Sequence, residues 1–137
     1  MSDLSRFHSA QADVYPTALA EIRAGAKRTH WMWFIFPQLR ALGRSPTAKH
    51  YGIADIAEAR AYLDDPVLGP RLRECCAALL EHHAAPESIL GPVDALKLRS
   101  CTTLFMHVSD EPVFREILAQ FYNGEPCPLT EDLLRAN

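Results

Sequence analysis

The chain has 137 residues, 48% of them hydrophobic, and a formal net charge of −3. That size fits one domain with one core, needs no disulfide or metal, and excludes a disordered chain. The mild negative charge argues against general nucleic-acid binding, which leaves a basic patch. Lys27-Arg28 is too short to be one and reads as a solvated loop.

Prolines and glycines cut the sequence into short segments that read as helices. Asp3–Ala12 forms a first helix with Leu4, Phe7, His8 and Gln11 along one side. Pro16 suits the first turn of a second, which runs to Arg23 or Ala24 and stops at Gly25. Thr29 is placed to cap the next segment, His30–Phe36, which holds both tryptophans, Trp31 and Trp33. A helix is expected there, ended by Pro37 because the residue before a proline avoids the helical region. A buried strand is the alternative, but no period-2 run offers a partner. Six consecutive apolar residues, Trp31 to Phe36, cannot form one amphipathic face. The segment is buried on nearly all sides, or buried on one side and lining a pocket on the other.

Ser45 before Pro46 is the usual start of a helix, which Gly52 interrupts. Asp55 and Glu58 make a capping box for the next helix, which stops before Pro66. Leu68–His83 is the clearest amphipathic helix, with Leu68, Leu72, Cys76, Leu79, Leu80 and His83 at three- and four-residue spacing. Pro86–Leu90 is a one-turn piece. Val93–Val108 and Pro112–Tyr122 are long helices, the second ended by Gly124, and Thr130–Arg135 is a short tail helix. The expected fold is therefore all-α: a compact single-domain bundle, residues 1–137, of about seven to nine short helices.

The longest apolar run falls far short of the roughly 20 residues of a membrane span. The N-terminus lacks a basic-then-apolar signal pattern, so a cytoplasmic protein is expected. Among the four cysteines, Cys75, Cys76, Cys101 and Cys127, no CxxC occurs. A zinc or thioredoxin-like site is not expected. Cys76 falls on the apolar stripe and behaves as a small hydrophobe; Cys75 becomes a redox residue only with a cation or base beside it. His82-His83 diverge on a helix and suit its C-terminal dipole better than a metal. No HExxH, GxSxG, GxGxxG or Walker-type loop is present, and no metal or cofactor is expected.

Chemistry gathers in two places. On the helix Leu96–Val108, Leu98, Cys101, Phe105 and Val108 form a core face. Lys97, Ser100, Thr103 and His107 form a second stripe, with a charge and hydroxyls suited to a phosphate or carboxylate. The plainer alternative is a partly solvated face whose hydroxyls bond to their own backbone. Arg99, to the side, is expected to pair with Glu74 or Asp94. The other place is the rim of the aromatic run. His30 is a general-base or anchoring histidine, or a simple helix cap. Gln38 and Arg40 lie on the loop after Pro37, beside a rigid aromatic wall. Trp31 and Trp33 point about 200° apart on a helix, so they cannot face the same place: the plainer reading has both in the core, the other has one in the core and one stacking on a planar ligand.

The run from Gly25 to Leu39, G-x-K-x-x-H-W-M-W-F-I-F-P-Q-L, resembles the hallmark of bacterial domain-of-unknown-function family 1810, sometimes labelled calpastatin. Leu42-Gly43-Arg44-Ser45, Tyr51-Gly52-Ile53, Ala61-Tyr62-Leu63, Pro66–Leu72 and Asp94-x-Leu96-Lys97-Leu98-Arg99-Ser100 match as well. The resemblance covers nearly the whole chain and implies a small, mainly α-helical domain. It implies no activity and no catalytic set. Cys101 stands where that family often has a second serine, so a hydroxyl there is not essential.

The leading expectation is a protein that binds a small polar or anionic ligand, nucleotide-like ligands among the candidates. The cleft lies between His30–Arg40 and Leu96–Val108. Its expected ligand contacts are His30, Trp31, Gln38, Arg40, Ser45, Lys97, Ser100 and Thr103, with His30 as the acid/base if there is chemistry and Lys97 as the anion contact. No nucleic-acid or membrane partner is expected. The alternatives are an interaction or homodimerisation module without ligand, displaying Trp33, Phe34 or Phe36 on a flat patch, and an enzyme acting on a nucleotide-derived metabolite.

Overall fold

Ten α-helices and one 3-10 turn make up the regular structure of residues 3–136, which the computed structural model describes. The helices are α1 (Ser5–Gln11), α2 (Tyr15–Ala24), α3 (Met32–Ile35), α4 (Pro46–His50) and α5 (Ile56–Asp64). They continue with α6 (Leu68–Leu80), α7 (Pro86–Leu90), α8 (Pro92–Met106), α9 (Pro112–Tyr122) and α10 (Pro128–Arg135). The all-α architecture is as the sequence implies. The count exceeds the expected about seven to nine because α3, α4 and α7 are separate one-turn pieces. Among the described residues no helix is long and apolar enough to cross a membrane.

Local chemistry sets most boundaries. Ser45 Oγ accepts from Ala48 N at 3.1 Å and caps α4. Asp55 caps α5 through Glu58 N at 2.9 Å, while Glu58 reaches back to Ala54 N at 3.0 Å. Gly25 ends α2 in the left-handed region, φ 73°. Its lack of a side chain also lets the His82 ring approach and bond to the Ile22 carbonyl at 2.7 Å. His82 therefore serves the C-terminus of α2 rather than that of its own helix. At the end of α9 both Asn123, φ 56°, and the expected Gly124, φ 77°, have positive φ, so the stop begins one position before the glycine.

Helix α8 is the central rod, packed against α5, α7, α9 and α10. Leu98, Cys101, Leu104 and Phe105 on it are fully buried. Phe105 stacks with Phe114 of α9 and with Tyr62 of α5, and Tyr62 meets Phe7 of α1 edge-on, so one aromatic chain crosses the core. Every residue from Ser100 to Phe105 is buried, so the second half of α8 reads ambiguously on a helical wheel.

The aromatic run folds as one turn of helix, α3, with irregular ends. Trp31, Met32, Ile35 and Phe36 are buried; Trp33 and Phe34 are half-buried. After Pro37 the chain runs extended and forms an isolated parallel bridge, Leu39 to Ile53. Ile53 N donates to Gln38 O and Arg40 N to Ile53 O, both at 2.8 Å. Arg6 of α1 locks the far side of this bridge, bonding to the carbonyls of His50 and Gly52 and to buried Glu58 at 2.9 Å.

Candidate functional site

Glu21 of α2 fixes the start of the aromatic run. Its carboxylate accepts from Arg28 N, Thr29 N, Thr29 Oγ1 and Trp31 Nε1 at 2.7–3.0 Å. Partial burial works to raise its pKa, but these hydrogen bonds win and hold it at about 2. Thr29 is thus spent on Glu21 and does not cap α3, whose first turn has no side-chain cap. The anchored segment presents His30, exposed, and Trp33, half-buried, toward α8.

Across from them stands a pair of lysines on one carboxylate. Lys27 Nζ lies 3.0 Å and Lys97 Nζ 2.8 Å from the oxygens of Asp94. Burial tends to raise the Asp94 pKa, but the two ammonium groups hold it below the ordinary range. Each lysine also sits over an indole: Lys97 Nζ is 3.9 Å from the Trp33 ring centre and Lys27 Nζ 5.1 Å from that of Trp31. Lys27 and Lys97 are only 10% and 17% exposed, so Lys27 is no solvated loop residue. Two cations share one anion, and one positive charge is left unbalanced in a sheltered place.

That charge borders a cleft of about 200 Å³. Its walls are Trp33, Phe34 and Tyr51, with Thr47, His30 and the lysine pair at the edge. A second cleft, of about 510 Å³, shares Trp33 and Lys97 with the first. It is lined by Gln38, Arg44, Ser45 and Ser100 and by apolar Leu42, Val93 and Leu96.

The eight expected contacts divide accordingly. His30, Trp31 and Lys97 line the first cleft; Gln38, Ser45, Ser100 and again Lys97 line the second. Trp31 is 1% exposed and tied to Glu21, so the tryptophan available to a ligand is Trp33. Arg40 and Thr103 line neither cleft. Arg40 lies with Arg6, Lys49 and His50 on a separate depression. Thr103 is fully buried, donates to Arg99 O and accepts from Cys127 N, both at 2.8 Å. Ser100 likewise bonds back to Leu96 O at 3.1 Å. These hydroxyls do bond to their own backbone, but the face is buried and not partly solvated, because α10 covers that stripe of α8. Arg99 pairs with neither Glu74 nor Asp94. It holds the carbonyl of Glu125 at 2.9 Å.

Sequence reasoning missed Lys27, Asp94 and Tyr51. A signal existed for the middle one: Asp94 and Lys97 are three apart at the start of α8, the spacing of a helical ion pair. Nothing local pointed to Lys27, which reaches Asp94 over 67 residues of chain.

The family model described as "Protein of unknown function (DUF1810)" matches residues 1–134. The crystal structure of the conserved hypothetical protein Rv1873 from Mycobacterium tuberculosis is similar over 98% of both chains, at 48% identity and a TM-score of 0.96. No curated protein matches the chain.

Proposed function

The chain belongs to the DUF1810 family of unknown function, and from its geometry we propose that it binds a small anionic ligand in the cleft between His30–Trp33 and α8. The observation that carries this is the Lys27–Asp94–Lys97 arrangement: one net positive charge, mostly shielded from water, facing an aromatic-walled hollow. A sheltered cation interacts more strongly with an anion than an exposed one, because the local dielectric is lower. Lys97 is the direct contact, and Lys27 keeps Asp94 from cancelling it. Trp33 and Phe34 give a flat apolar surface for the rest of the ligand. The interaction-module alternative needs its aromatic residues on a flat patch. Phe36 is 1% exposed, and Trp33 and Phe34 are half-buried in the cleft walls.

Thermal unfolding with inorganic phosphate and a set of phosphorylated and carboxylated metabolites tests this. A ligand at 100 times its dissociation constant stabilises by about 2.7 kcal/mol. The shift is expected to vanish in Lys97→Ala, to shrink in His30→Ala, and to weaken with added salt. A wild-type protein indifferent to every anion, or a shift that Lys97→Ala leaves intact, overturns the proposal.

A further inference from the structure

The second cleft contains a polar group with no partner. Gln38 is only 9% exposed, and its backbone carbonyl is spent on Ile53. Among the described residues its side-chain amide makes no hydrogen bond, yet it lines the second cleft. The amide atoms themselves are not sealed from solvent, so the amide is free to pair with a ligand. The cleft that Gln38 lines also holds apolar side chains standing unusually free on α8: Val93 and Leu96, 65% and 63% exposed. Lys97 and Trp33 join this hollow to the first cleft.

We infer that the two clefts form one site for a nucleotide-like ligand, its anionic group on Lys97 and the edge of its planar heterocycle on Gln38. The inference rests on the anion-binding reading above and names the ligand's other end. A glutamine amide presents a donor and an acceptor side by side, the complement of an amide-like base edge. Leu96, Val93 and Leu42 supply apolar surface for the faces of a ring. The two hollows, about 200 and 510 Å³, together suit a ligand of mononucleotide size.

Calorimetric titration of the full chain at low salt separates the two claims. The titrants are inorganic phosphate, ribose phosphate, and the mononucleotides of adenine, guanine, uracil and cytosine. At least one mononucleotide is expected to bind ten-fold or more tighter than ribose phosphate. Gln38→Leu is expected to close that gap while leaving phosphate and ribose phosphate binding unchanged. The same variant should unfold with wild type, because it breaks no side-chain hydrogen bond within the protein and keeps the backbone bridge. If every mononucleotide binds as ribose phosphate does, or the gap survives in Gln38→Leu, the inference is overturned and the anion site stands. If neither phosphate nor any phosphorylated titrant binds, the anion-binding reading falls and takes the inference with it.

Discussion

Glu21 shows how much one side chain can organise. Four hydrogen bonds from a loop converge on its carboxylate and set the position of Trp31, and through it His30 and Trp33. Its pKa falls from an ordinary 4.5 to about 2. The unfolded chain therefore binds a proton more readily than the folded one. The stabilisation is complete above pH 4.5 and is lost as the pH falls toward 2. Glu21→Gln, which keeps the shape but not the charge, is expected to be less stable than wild type at neutral pH. Denaturant unfolding at a series of pH values should show that difference shrinking between pH 4.5 and 2; a constant difference would contradict the account. The role of Glu21 was illegible in the sequence, because an acidic residue in mid-helix usually faces water and its partners lie in a loop of no regular pattern. Lys97 was legible as a cation on a polar stripe. Its counter-ion, and the second lysine on it, were not.

Among the elements, the extended stretch after Pro37 matters most, since it carries Gln38 and closes against Ile53. The approach is tight. A Cβ on Gly52 would fall inside the contact radius of Arg40 Cα and Cβ, which are not the far end of a flexible chain. Gly52→Ala must push the bridge open, at a cost of about 1–3 kcal/mol by analogy with overpacked cores. Urea unfolding should show a lower midpoint at unchanged slope, and the Gln38-dependent part of mononucleotide binding should fall with it. Helix limits set by caps were readable: Ser45, Asp55 with Glu58, and Gly25 act as their residue types predict. The pairing of Leu39 with Ile53 was not. It is an isolated bridge, with none of the alternation that marks a strand. The Thr103 hydroxyl was misplaced for a related reason: the wheel gives a stripe's direction but not the helix, here α10, that lies over it.

For the molecule as a whole, the cysteines report on packing. All four are free and buried. Burial pushes the Cys75 thiol up to about 12, and those of Cys76 and Cys101 well above their ordinary value. No thiolate is available at these positions, which removes the redox role considered for Cys75. Cys127 differs. Burial acts to raise its pKa too, but the nearby Ser100 hydroxyl and the first backbone amides of α10 outweigh it and leave the pKa lowered. Alkylation of the native protein, followed by mass spectrometry, should modify Cys127 first and the other three only on unfolding. Rapid native modification of Cys75 or Cys76 would mean that the α6 packing is looser than described.

The sequence by itself determined the helical class, most helix ends and the family, because caps, prolines, glycines and the tryptophan motif act over a few residues. It also determined that the aromatic run cannot be one amphipathic face. The tertiary structure decided which of its aromatics turn inward. It decided that Lys27 and Lys97 meet on Asp94 beside Trp33, and that Gln38 lines the neighbouring hollow. These are meetings between segments far apart in the chain. Residue spacing encodes the face of one helix, but only the packing of several helices encodes what that face meets.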